Sequence, residues 1–150
     1  MSDLTDLYQQ VILDHNRRPR NYGALPDADR EARGRNPLCG DEVAVFVKLD
    51  GDVLADVTFT GSGCAISKAS ASLMTAAVRG KATGEADALF ARVHDMMIGK
   101  AGSEGMGPLA ALAGVSRFPV RVKCASLAWH ALRNALHAQP SGDAAVAHTE

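Results

Sequence analysis

The sequence predicts an α+β domain in which a small antiparallel β-sheet is covered by helices, a single-domain fold. Two observations lead there: one stretch alternates apolar and polar residues and is followed, after a tight turn, by a second β-rich run. A third is the order of elements, one helical pattern before this hairpin and several after it.

Leu4, Leu7, Tyr8, Val11 and Ile12 recur at helical spacing after Asp3, a good N-cap, and describe an amphipathic helix that ends near His15 ahead of Pro19. From residue 16 to 37 the composition turns to Arg, Asn, Gly, Asp and Pro, which predicts an irregular connection, long enough to suggest a function. It holds six of the eleven arginines together with Asp27, Asp29 and Glu31, and reads as a charged, solvated segment suited to docking a protein.

Val43, Val45, Val47 and Leu49 alternate with Ala44, Phe46 and Lys48; Asp50-Gly51-Asp52 makes a turn, and residues 53–59 supply the second strand. Gly61-Ser62-Gly63 allows a sharp change of direction into a helix over 65–78 that begins at Cys64. Residues 86–97 read as a further helix, 99–108 with four glycines and a proline as a mobile loop, 109–113 as a short apolar helix, and 120–138 as a long helix containing Cys124. The expected domain spans 1–138, with 139–150 a disordered C-terminal tail.

At 150 residues the chain is one domain, and its 47% hydrophobic content suffices for a core without disulfide staples. Sixteen Lys and Arg against seventeen Asp and Glu give a net charge of -1, so neither nucleic acid nor an anionic membrane is an expected partner. No run of eighteen apolar residues and no secretion signal is visible, so the expected location is the cytoplasm. Three cysteines is an odd number, and in a reducing compartment thiols are more often reduced, metal-bound or catalytic than bridged.

Each cysteine falls at the edge of an expected element: Cys39 before the first strand, Cys64 at a helix start, Cys124 near the start of the last helix. A helix N-terminus carries about half a positive charge and favours the thiolate, an effect strongest at Cys64 and shared by Cys124. Asp41 follows Cys39 by two residues, so in an extended segment the two side chains project to one face, roughly 6–7 Å apart. Three thiolates and a carboxylate complete a tetrahedral zinc site, and the same set left open could hold iron and sulfide. Three buried core thiols with Asp41 capping a turn is the alternative, and the residues alone separate the two only weakly.

Other motifs carry less. His130 and His137 share a polar helix face with Arg133 and Asn134 and read as solvated; His15 suits the C-terminal dipole of the first helix, and His94 a charged exposed face. Residues 80–82 and 99–101 lack the pattern of a nucleotide-binding loop, and the paired motifs of a nucleobase deaminase are absent.

Asn36-Pro37-Leu38-Cys39-Gly40-Asp41, then Gly61-Ser62-Gly63-Cys64-Ala65-Ile66-Ser67 running into 69–74, then Arg121-Val122-Lys123-Cys124-Ala125 resemble the three cysteine motifs of the IscU/SufU family of iron–sulfur assembly proteins, which is NifU N-terminal-like. Residues 7–15 with Pro19-Arg20-Asn21 resemble that family's first helix and loop, so the likeness covers residues 4–138. It is nearer the SufU branch: Lys123 stands where IscU carries a histidine, and the stretch between Cys64 and Cys124 resembles the SufU insertion.

The resemblance implies that Cys39, Asp41, Cys64 and Cys124 bind zinc, that a SufS-type cysteine desulfurase is the partner, and that Cys39 accepts its persulfide sulfur. Arg121 and Lys123 either favour the anionic thiolate and persulfide or are simply the solvated start of a helix. The implied activity is a zinc-dependent sulfurtransferase rather than a free-standing enzyme. The alternatives are a scaffold that holds a transient iron–sulfur cluster, working with other SUF cluster-assembly components, and a purely structural zinc domain.

Overall fold

The structure, a computed structural model, describes residues 3–36, 40–137 and 145–148. Helix α1 (Asp3–Arg17) is followed by strands β1 (Arg30–Asn36), β2 (Asp41–Asp50) and β3 (Val53–Ser62). Helices α2 (Ala65–Val78) and α3 (Thr83–Met97), a 3-10 helix (Gly107–Arg117), helix α4 (Pro119–His137) and a short strand β4 (Ala145–His148) complete the order. The sheet runs β3-β2-β1-β4, antiparallel among the first three and parallel where β4 joins β1. The expected α+β architecture, a small sheet covered by helices, is the one observed.

The β2–β3 hairpin follows from its pattern. Val43, Val45 and Val47 face inward and pair across the strand with Gly61, Phe59 and Val57, and all of these but Gly61 are buried. The first residue of the same inward row is Asp41, also fully buried. Strand period alone carries a carboxylate to the inner face.

β1 lies where an irregular connection was expected. Its inward positions are Ala32, Gly34 and Asn36, and its outward ones Glu31, Arg33 and Arg35, so the alternation is present but written in residues of poor β-propensity. The reason for small inward residues is α4. A Cβ on Gly34 would stand 2.9 Å from Leu127 Cδ1 and 3.1 Å from Val43 Cγ1, so only glycine lets the helix come down on the strand.

The tail also differs from expectation in part: residues 145–148 of the segment expected to be disordered form β4, drawn to the free edge of β1 in the register Ala32↔Ala145 to Arg35↔His148. An open strand edge offers unpaired N–H and C=O groups that even a short segment can satisfy. The other edge is covered too, by bridges Tyr22↔Phe59 and Val53↔Ala82.

Helices α2 and α4 pack on the inner face of the sheet, with Trp129 of α4 fully buried and its Nε1–H donating to Ser70 Oγ of α2 at 3.2 Å. Ser70 in turn donates to the Ala125 carbonyl, so this one buried serine of α2 joins the two helices. The segment after α1 straps α2 to β3. Asn21 Nδ2 donates to Thr75 Oγ1 at 3.2 Å, Phe59 N–H to the Asn21 carbonyl at 3.1 Å, and Gly23 N–H to the Phe59 carbonyl at 2.8 Å. Among the described residues, no helix is long and apolar enough to cross a membrane.

His15, expected to serve the C-terminal dipole of the first helix, does lie in its last turn but is only 9% exposed, with Nδ1 2.7 Å from Ser72 Oγ. That hydroxyl oxygen also accepts the Arg20 backbone N–H at 2.7 Å, so Ser72 ties both the imidazole and the segment after α1 to α2. Burial first, and the Arg20 charge second, hold His15 below its ordinary pKa, against the weaker pull of Asp14. A lowered folded-state pKa means that the native state binds fewer protons than the unfolded chain. The stabilisation is then complete above the ordinary value of 6.5 and is lost as pH falls through the folded value. Thermal melts from about pH 7.5 down to about pH 5.5 should show a falling midpoint, and His15→Gln should remove that part of the pH dependence.

Candidate metal centre

Three elements end at one place. Asp41 opens β2, Cys64 is the N-cap of α2, and Cys124 lies in the second turn of α4. One ligand atom from each falls within 4.8 Å of the others, which makes them a group of three donors close enough to share one ion.

Asp41 is held from the helix side, its Oδ1 accepting the Cys64 backbone N–H at 2.9 Å while Oδ2 stands 3.8 Å from Cys64 Sγ. Cys64 caps its own helix, with Sγ accepting the Ser67 N–H at 3.4 Å. The sulfur therefore sits in the positive end of the α2 dipole, as the position of Gly61-Ser62-Gly63 predicts. Gly63 makes this possible: its φ is +148°, and a Cβ there would collide with the Asp41 carboxylate.

Cys124 is reached differently from expectation. It is the sixth residue of α4, beyond the N–H groups left open at a helix start, so the dipole argument holds for Cys64 and not for Cys124. What places it is packing. Leu127, one turn further along α4, rests on Gly34, and Cys124 then lies over Asn36, whose Nδ2 donates toward its Sγ at 3.9 Å. Cys124 is 3% exposed and Asn36 fully buried. Asn36 is the site residue that the chemistry of the sequence did not single out. Its signal is the period of β1, where it ends the inward row directly opposite Asp41.

Cys39 lies outside the described residues. The assumption of an extended segment between it and Asp41 does not hold at Gly40, which has φ +70° and donates its N–H to the Asn36 carbonyl at 2.9 Å, forming the turn of the β1–β2 hairpin. Arg121 is exposed and Lys123 half-buried on the turn of α4 before Cys124, and neither side chain makes a hydrogen bond or ion pair among the described residues.

The donor set fits a divalent ion of borderline softness. A buried carboxylate needs a compensating charge, and among the described residues no Lys, Arg or His forms an ion pair with Asp41. Ligand atoms sharing a tetrahedral ion at zinc-type bond lengths stand about 3.3–3.8 Å apart, a small contraction of what the three residues already show. Thiolate and carboxylate together select zinc or iron over magnesium or calcium.

A family model for the NifU-like N-terminal domain matches residues 7–141. The chain belongs to this family. A zinc-dependent sulfurtransferase SufU from Bacillus subtilis strain 168 is 44% identical over 144 residues, 95% of this chain and 97% of that one. An iron–sulfur cluster assembly scaffold protein IscU from Streptococcus pyogenes serotype M1 is 43% identical, covering 91% of this chain and 86% of its own length. Among solved structures, an iron–sulfur cluster assembly scaffold protein for the SUF system from Fervidobacterium islandicum AW-1 superposes with a TM-score of 0.81 at 36% identity, covering 91% of this chain and 99% of that one. The resemblance carried by the three cysteine motifs is thus a family membership spanning the chain.

Gly63→Ala tests how the NifU-like domain positions Asp41. It should lower bound divalent metal well below one per chain, measured by elemental analysis, while the far-ultraviolet circular dichroism of the helices is kept.

Proposed function

We propose that this protein is a zinc-dependent sulfurtransferase of iron–sulfur cluster assembly, taking persulfide sulfur from a SufS-type cysteine desulfurase in the cytoplasm. The observation that carries it is the convergence of Asp41, Cys64 and Cys124, donors from three separate elements, to within 4.8 Å. The relative named as a zinc-dependent sulfurtransferase, similar along 95% of this chain, supports the same reading. Cys39 is assigned as the fourth ligand and the sulfur acceptor. It is joined through Gly40 to Asp41, so chain connectivity keeps its Cα within about 7.6 Å of the Asp41 Cα.

Zinc bound to this set keeps the thiols deprotonated and shields them from oxidation and stray alkylation. The rest is the work of the chain. Asp41 is the hard ligand among soft ones and supplies the position easiest to vacate. Gly40, whose φ of +70° favours glycine, joins Cys39 to Asp41, and Cys39 is the residue that meets the donor. There the Cys39 thiolate attacks the outer sulfur of the donor persulfide; a new S–S bond forms on Cys39, the donor S–S bond breaks, and the donor cysteine leaves as a thiolate. Arg121 and Lys123 place two positive charges before Cys124, offsetting a set of three thiolates and a carboxylate whose four negative charges exceed those of a divalent ion.

The purified protein should carry one tightly held zinc. Desulfurase turnover should rise with added wild-type protein and return to the basal rate with Cys39→Ala, and mass spectrometry should find the extra sulfur on Cys39. Asp41→Ala removes a direct ligand and should weaken zinc retention in a chelator competition by more than the roughly 10–100-fold lost when only an outer partner of a ligand is removed. A second reading, a scaffold on which a cluster is assembled, is favoured by the names of the Streptococcus and Fervidobacterium relatives. A stable cluster formed on the same four residues, with no stimulation of the desulfurase, would decide for it.

A further inference from the structure

A second cluster of ligand-bearing side chains lies on the far side of α4, away from the thiols. α3 and α4 run antiparallel and meet in three rungs, each one helical turn from the next. His137 Nε2 is 3.1 Å from Asp87 Oδ1, the Arg133 guanidinium lies 5.3 Å over the Phe90 ring, and the His94 and His130 rings are 6.1 Å apart. These side chains line one open groove of about 450 Å³. His130 and His137 were read from the sequence as solvated; His137 is exposed, but His130 is half-buried against Phe90, with ring centroids 5.3 Å apart.

The geometry points to a second metal site, in which His94 and His130 clasp one borderline divalent cation such as Ni²⁺, Cu²⁺ or Zn²⁺ between α3 and α4. Imidazole nitrogen is the donor these ions prefer over water, and two imidazoles brought in from different helices hold an ion that neither retains alone. Two rings bound at a tetrahedral angle, with N–metal bonds of about 2.0–2.1 Å, place their centroids about 5 Å apart. The observed 6.1 Å needs only a small rotation about the side-chain torsions.

Both rings are already held against the same surface. His94 stacks on Phe90 with planes 12° apart and centroids at 6.0 Å, and His130 meets Phe90 edge-on. Burial lowers the His130 pKa first, helped by the charges of His94 and Arg133, so its lone pair is available for a metal at neutral pH. Asp95 lines the same groove and forms no ion pair among the described residues, so a carboxylate is at hand to offset the cation, while Asp87 is occupied by His137. Water completes the coordination on the open side.

The test uses the full chain with zinc already bound at the thiol site and Ni²⁺ as the probe, since Ni²⁺ does not oxidise thiols. Calorimetry should record one further equivalent, and imidazole NMR signals of His94 and His130 should broaden before those of His15. The double variant His94→Gln with His130→Gln should lose that equivalent while keeping its zinc and its thermal midpoint, and His137→Gln should keep both metals. No broadening of the His94 and His130 signals in the wild-type protein would overturn the site, independently of how the variants fold. So would Ni²⁺ uptake matched by zinc release, or binding lost in His137→Gln alone. None of these outcomes depends on sulfur transfer, so the site stands or falls apart from the proposed function.

Discussion

The centre of this structure is a carboxylate in the wrong place. Asp41 begins an inward row that otherwise reads Val43, Val45, Val47, and it is as buried as the valines. Leaving such a group ionised and unmatched is among the costliest things a small core can do. The surrounding parts all answer to it: a helix N-terminus gives it one N–H, a glycine at +148° keeps clear of it, and two thiols stand near enough to share a cation with it. The core accepts this residue because the site completes it.

The same logic explains why the donors are so scattered. A compact zinc finger takes its ligands in close pairs and folds around the ion, whereas here the sheet, α2 and α4 each deliver one of the described donors. The elements that carry them are joined by the Trp129–Ser70–Ala125 link and the valine rows, contacts that involve none of the three donors. The seat of α4 on Gly34 sets the last distance, because a shift of that helix would carry Cys124 with it.

Much of this was legible in the amino acids. The alternation of 43–49, the turn at Gly51 and the glycines before Cys64 correspond directly to β2, β3 and the start of α2, and both site cysteines within the described residues lie together with Asp41. β1 was not legible, because Arg, Glu, Gly and Asn carry its alternation and their low β-propensity conceals the period. The reason for Gly34 lies far along the chain, in how closely Leu127 approaches, and a local pattern contains no trace of that. His15 was misread for a similar reason: its partner Ser72 is 57 residues distant, and only the packing of α1 on α2 turns a helix-end histidine into a buried, hydrogen-bonded one. The short strand β4 had no signal either, being an occupant of an edge that was itself unseen.

The way the sheet is bordered has a bearing on how the molecule behaves in company. β4 lies along one margin, and the backbone at Tyr22 and Ala82 touches the other, so neither outer strand offers a long bare ladder to a neighbour. Fibril growth and accidental strand exchange both begin at such a ladder. Bordered in this way, the sheet is kept from adding strands of its own copies along its flanks.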